Sequence, residues 1–124
     1  MTSHDQQVNG VRIDEFGPEN QNFVQWFNDE CKKSPPEATR GYLQAAANCE
    51  VDVESFLRKI KVPTLLMMGA EHNRIVTTEE MRRFRDLIPQ AKMVTFPGVK
   101  AQCQFVIPEK CAEEVLRFIG AQAT

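Results

Sequence analysis

The chain has 124 residues, of which 42% are hydrophobic and 26% charged, and its formal net charge is −2. This length allows one domain with a core of moderate size, and the composition is that of a globular protein. A slightly acidic chain without a basic patch is not expected to bind nucleic acid or an anionic membrane surface. The polar first ten residues lack a secretory signal, and the longest apolar run, Leu65–Met68, is too short to cross a bilayer, so we expect a cytoplasmic protein.

A polar N-terminal segment precedes the first predicted helix. Residues 1–18 show no clear hydrophobic period. If this segment has regular structure, we expect an extended conformation. From Glu19 onward, the apolar residues Phe23, Phe27 and Cys31 recur every four residues, which predicts a helix. Two consecutive prolines end this pattern.

Two further helices are predicted before the middle of the chain. Ser34 and Glu37 have the spacing of a capping box, which predicts a second helix that reaches Cys49. Asp52 is expected to cap a third helix through Ile60. The apolar residues of the third helix that we expect to face inward are Phe56, Leu57 and Ile60.

The second half of the sequence predicts an α/β fold with a small parallel sheet and flanking helices. Residues 63–69 are apolar at successive positions, which indicates a strand buried on both faces of a parallel sheet. Thr77 and Glu80 form a second potential capping box at the start of a helix, and residues 91–96 predict a second strand. After a loop, Pro108 opens a last helix, which a glycine can end. The residues of this helix that we expect to face inward are Ala112, Val115, Leu116, Phe118 and Ile119.

Five short motifs in the last part of the chain resemble the C-terminal part of an α/β-hydrolase. In chain order they are Ile60–Gly69, Ile88–Ala91, Phe96–Gly98, Pro108–Glu109 and Val115–Ile119. Each is weak alone, but their order and spacing together match the family. The resemblance implies an N-terminal segment at 1–18, lid-like helices at 19–60 and a βαβα segment at 61–124, within one domain overall. Residues 8–13 also resemble the opening hairpin of the family.

The catalytic residues of the α/β-hydrolase family have no counterparts in this chain. The family carries its nucleophilic serine in Gly-x-Ser-x-Gly, and that motif does not occur here. The family acid lies three positions after the glycine that matches Gly69, where this chain has His72. The family histidine falls at Ala101. The resemblance therefore implies no catalytic residue in this chain, because a triad needs a nucleophile, a base and an acid.

Three residues are candidates to face a ligand, because the resemblance places them on the loops that form the active-site rim in the family. They are His72, Lys100 and Cys103. A pairing of Cys103 with His72 could activate the thiol, whereas the simpler expectation is a surface thiol of ordinary reactivity. The four cysteines include no Cys-x-x-Cys, and the two histidines lie far apart in sequence, so we expect reduced thiols, no metal site and no cofactor.

These observations predict a truncated, non-catalytic α/β-hydrolase-like protein that acts as an interaction or assembly module. A complete family member has six further strands, and without them an apolar two-stranded sheet would expose its faces and edges. We therefore expect an obligate homodimer across the sheet edge or the lid helices, with an interface above about 2,000 Å². One alternative is a subunit or fragment of a serine hydrolase, esterase-like, that another chain completes. A second alternative is a small-molecule binder that uses the former active-site rim.

Overall fold

The computed structural model describes residues 13–71 and 76–123, which fall into two compact units, Met1–Val51 and Asp52–Thr124. The described part of the first unit contains three helices: α1 at Ile13–Phe16, α2 at Gln21–Cys31 after a short 3-10 turn, and α3 at Pro36–Ala47. The opening hairpin predicted for residues 8–13 lies outside the described residues except for Ile13, which begins α1.

Aromatic side chains form the centre of the first unit. Phe16 is only 2% exposed, and its ring centroid lies 5.5 Å from that of Phe23. Phe23 in turn lies 5.8 Å from Phe27, so the helical face predicted from the four-residue spacing is confirmed. Trp26, on the flank of the same helix, is 58% exposed. The first unit thus has a small aromatic core.

The predicted capping box at Ser34 is wrong. Helix α3 begins at Pro36, its N-cap residue is Pro35, and no side chain caps its first turn. The reason is that Pro35 has the extended conformation of an N-cap and Pro36 occupies the first helical position, so Ser34 falls one residue too early. Nearly all residues of α3 are solvent-exposed, and Tyr42 has 74% of its surface accessible.

The second unit is built on two parallel strands, as predicted. Helix α4 at Val53–Arg58 precedes strand β1 at Thr64–Gly69, helix α5 follows at Thr78–Leu87, and strand β2 lies at Ala91–Phe96. Thr64 pairs with Ala91 and Gly69 with Phe96 at the two ends of the ladder. The chain closes with a short helix α6 at Cys103–Val106 and a long helix α7 at Pro108–Gln122.

Two predicted helix caps in this unit are confirmed. The Asp52 carboxylate accepts a hydrogen bond from the Ser55 amide at 3.2 Å. Thr77 accepts from the Glu80 amide at 3.2 Å, and the Glu80 carboxylate accepts from the Thr77 amide at 3.1 Å. Each cap satisfies amides that have no partner within the helix, so these residues fix where α4 and α5 begin.

One core cluster of the second unit includes residues of both strands. It consists of Phe96, Val99, Cys103 and Cys111, with Met67 and Val94 packed against them from the two strands. Helix α5 also packs against both strands. Even so, only the last two residues of β1, Met68 and Gly69, are buried, and the first four are half-exposed. The prediction that β1 is buried on both faces therefore holds only at its carboxyl end.

Several apolar side chains that were predicted to face inward are exposed. Phe56 on α4 is 60% exposed, and on α7 Leu116 is 69% and Ile119 57% exposed. Instead, Cys111 is the buried residue of α7. A sheet of two strands offers a helix only a narrow surface. The apolar face of a helix is wider than this surface, so part of it remains in solvent. Helix α7 also continues past Gly120, where its end was predicted.

Candidate functional site at the ends of the two strands

The loops that follow β1 and β2 lie together at the carboxyl edge of the sheet. The Ala70 amide donates to the Phe96 carbonyl at 2.8 Å, and the Glu71 amide donates to the Val99 carbonyl at 3.1 Å. The Thr78 hydroxyl, at the start of α5, donates to the Ala70 carbonyl at 3.0 Å. Ligands of parallel sheets usually bind at this edge, so these loops form the candidate site.

Gly69 lets the two loops approach each other closely. A Cβ atom placed on Gly69 would lie 2.3 Å from the Val99 carbonyl oxygen, a distance that no real contact allows. The loop after β2 turns at Gly98, whose φ of 75° is in the region that favours glycine. The glycine that ends β1 is therefore required by the packing of the two loops.

The loop after β2 alternates between buried and exposed side chains. Val99 is 6% exposed and Ala101 is 3% exposed, whereas Lys100 between them is exposed. Ala101, at the position of the family histidine, thus presents a methyl group to the interior. Of the two candidates that the structure describes, Lys100 and Cys103, Lys100 is the exposed one. The third candidate, His72, lies outside the described residues, so its relation to Lys100 or Cys103 stays a prediction.

The prediction of a surface thiol at Cys103 is wrong. Cys103 opens α6 and is 4% exposed, within the core of the second unit. Burial, which disfavours the charged thiolate, and a hydrogen bond with the Cys111 thiol raise the pKa of Cys103 to about 11. A thiol that is both shielded and protonated at neutral pH is a poor nucleophile.

This raised pKa gives the second unit a pH-dependent stability. An unfolded thiol loses its proton near a pKa of about 8.5, whereas Cys103 keeps it up to about 11. Between these values the unfolded state binds fewer protons, so the free energy of unfolding should fall as the pH rises. We expect Cys103→Ala to reduce this slope, measured by urea denaturation at several pH values. Substitution of the exposed Cys49 is the control, and equal slopes in Cys103→Ala and the wild type would contradict the assignment.

The pairing of Cys103 with Cys111 could not be read from the sequence. Eight residues separate them, and this spacing places side chains on roughly one face of a helix but far apart along its axis. Among the described residues, no group of three or more His, Cys, Asp or Glu side chains could hold a metal ion. In the same residues, no helix is long and apolar enough to cross a membrane.

Comparison with known proteins supports the fold alone. No family model matches the chain, and no curated protein is significantly similar to it. The chain is similar to the crystal structure of a His-tagged serine hydrolase involved in carbazole degradation, the CarC enzyme, with a TM-score of 0.66 and 22% sequence identity. The match covers 95% of this chain and 45% of the hydrolase, so the chain spans less than half of that structure. The predicted fold class is thereby confirmed: a small parallel sheet with flanking helices, similar to a fragment of an α/β-hydrolase.

Proposed function

We propose that this chain is a non-catalytic, hydrolase-like assembly module that pairs with a second copy of itself through the free edge of β1. The observation that carries the proposal is this edge: within residues 13–71 and 76–123, β1 is a strand of apolar residues that pairs on one side only. The residues at the strand ends are the argument against catalysis. The backbone and the charge of the two strands are the argument for assembly.

The absence of catalysis is supported by the residues at the strand ends. A serine hydrolase needs a base that takes the proton of the serine hydroxyl. At the position of the family histidine, Ala101 has a buried methyl group, which can neither accept nor donate a proton. The nearest buried thiol, Cys103, has a pKa raised to about 11 and does not substitute for the missing groups.

The assembly role is supported by the backbone of β1. Among the described residues, β1 pairs only with β2, so the N–H and C=O groups on its other side have no strand partner. An unpaired edge of this kind is a template for a further strand. Val62, just before the strand, is 65% exposed, and α7, which contacts β1, carries the exposed Leu116 and Ile119. Elements next to β1 in the chain or in contact with it thus expose apolar side chains.

Charge distinguishes the two edges of the sheet. Strand β2 carries Lys92, which is exposed, and a lysine on an outer strand discourages pairing with another chain. Strand β1 reads Thr-Leu-Leu-Met-Met-Gly and has no charged residue. The edge of β1 is therefore the one that lacks this protection and the one we expect to be paired.

A second copy of this chain is the simplest partner for the edge of β1, because no other protein is needed. When β1 pairs antiparallel with its own copy about a twofold axis, the same edge serves both partners, and the result is a four-stranded sheet. The neutral strand offers no charge pattern that would select a different, oppositely charged partner. Apolar side chains from both copies would then cover the half-exposed residues of β1.

A second candidate function is supported by the comparison. The solved hydrolase extends over more than twice the matched length, since the match covers 45% of it. A chain that supplies the remaining hydrolase core would also cover β1, and the complex could hydrolyse esters if that partner brought the serine, the histidine and the acid. A mass measurement of the native species distinguishes this candidate from the homodimer.

The catalytic part of the proposal is tested by an ester assay. We expect the purified chain to cleave p-nitrophenyl acetate no faster than an equal concentration of a non-enzymatic protein, and without saturation. A fluorophosphonate probe should label none of its serines, because none of them lies in a Gly-x-Ser-x-Gly motif. Saturable cleavage that this probe blocks, with one serine labelled, would show that the chain is an enzyme by itself.

A further inference from the structure

The second unit contains a buried pair of cysteines that the proposed assembly does not use. Of the four cysteines, Cys31 is half-buried and Cys49 is exposed, whereas Cys103 and Cys111 are 4% and 5% exposed. The buried two belong to one core cluster with Phe96. They are therefore neighbours in space on two successive helices, α6 and α7.

The helical backbone is interrupted between Cys103 and Cys111. In a straight helix, eight residues advance about 12 Å along the axis, which exceeds the Cα separation of about 4.4–6.8 Å that a disulfide spans. The backbone here is not straight, because Ile107 has φ −134° and ψ 63°, outside the helical region. The Ile107 amide donates to the Cys103 carbonyl at 2.9 Å, and the Cys111 amide donates to the Ile107 carbonyl at 3.1 Å. The break at Ile107 interrupts the helix between the two cysteines, and both belong to the same core cluster, where the Cys111 thiol contributes to the raised pKa of Cys103.

We propose that Cys103 and Cys111 are an oxidisable dithiol that closes to an intramolecular disulfide and fixes α6 against α7. The oxidant is a peroxide. One thiolate attacks a peroxide oxygen, which gives a sulfenic acid and releases water from hydrogen peroxide. The second thiol attacks the sulfenic sulfur, the S–S bond forms, and a second water leaves. In total, two thiols and one hydrogen peroxide give one disulfide and two water molecules.

Burial determines when this reaction occurs. Both sulfurs lie in the core, so peroxide reaches them only when α6 moves away from the sheet. Helix α6 has four residues, and its neighbours Gln102 and Ile107 have non-helical backbone angles, so it has few hydrogen bonds of its own to break. The dithiol is therefore expected to react slowly in the folded chain, and the disulfide, once formed, holds the loop that contains Ala101.

Peptide mapping tests the proposal in the full-length chain. Trypsin cuts after Lys100, Lys110 and Arg117, so Cys103 and Cys111 fall in two adjacent peptides, 101–110 and 111–117. After treatment with hydrogen peroxide and alkylation of the remaining thiols, we expect these two peptides to appear as one cross-linked species, lighter by two hydrogen atoms. Reduction should separate them. The same chain should gain about 5 °C or more in Tm without reductant, because the cross-link restricts the unfolded state.

Matched variants identify which thiols form the cross-link. The double variant Cys31→Ser/Cys49→Ser keeps the buried pair and should form the same cross-link, whereas Cys111→Ala should lose it together with the gain in Tm. Because Cys111→Ala leaves a small cavity, the mapping of the wild type is the decisive measurement. Disulfides that involve residue 31 or 49, or sulfinic acid at Cys103 without a cross-link, would overturn the proposal.

Discussion

Replacing Gly69 by alanine should destabilise the second unit by about 3 kcal/mol, a large loss for one methyl group. The added Cβ would lie 2.3 Å from the Val99 carbonyl oxygen and 2.8 Å from its carbon, and both atoms belong to the backbone. Relief requires the loop after β2 to move away from the end of β1. That movement would break the hydrogen bonds from Ala70 to Phe96 and from Glu71 to Val99, which join the two loops.

Gly120 provides a matched control for this substitution. It lies in α7 of the same unit, and a Cβ there would meet no atom within 4 Å. Gly120→Ala should therefore stabilise the chain by about 0.5–1 kcal/mol, since alanine loses less backbone entropy in a helix. Urea denaturation followed by circular dichroism measures both changes. A Gly69→Ala variant within about 0.5 kcal/mol of the wild type would mean that the close contact between the loops is not required.

The strands and the caps could be predicted from the sequence because local chemistry decides them. The apolar run that becomes Thr64–Gly69 is bounded by proline and glycine, and no helical period competes with it. Thr77 and Glu80 form a capping box through contacts within one turn, so their spacing alone is sufficient. At Ser34 the same spacing failed, because the adjacent prolines set the start of the helix.

The burial of individual side chains could not be predicted, because it depends on what else packs against the sheet. The pattern of α7 places Leu116 and Ile119 on its apolar side, yet both are exposed beside a sheet of two strands. Cys103 was expected in a surface loop, but a short helix forms there and carries it into the core. The resemblance alone was enough to place Ala101 at the family histidine position. That its side chain is buried became known only from the structure.

The proposed assembly predicts a dimer at micromolar concentration that a single charge on β1 separates. Sedimentation velocity of the wild type should give twice the 14.1 kDa of one chain. Leu65→Glu places a charge in the edge strand beside Lys92, its register partner on β2, so an ion pair can form within one chain. Pairing with a second copy would remove water from this charge, and we expect the Kd of the dimer to rise about 100-fold or more.

Lys92→Glu is the control for this variant, because it reverses a charge at the same level of the sheet but leaves β1 neutral. Its Kd should stay within about threefold of the wild type, a change of less than about 0.7 kcal/mol. Circular dichroism confirms that each variant is folded. If Leu65→Glu does not fold, Thr64→Lys offers a milder edge charge at the first residue of the strand.

Three results would decide against parts of this proposal. A folded wild-type species of 14.1 kDa at every concentration would exclude self-assembly and leave the complementing hydrolase core as the candidate partner. A dimer that Leu65→Glu and Thr64→Lys both leave intact would place the interface elsewhere, for example on the exposed Leu116 and Ile119 of α7. A dimer that Lys92→Glu separates as well would mean that both edges of the sheet contribute. Dissociation by the β1 variants alone is the result that assigns the unpaired strand edge as the assembly surface, because only there does the added charge enter the contact.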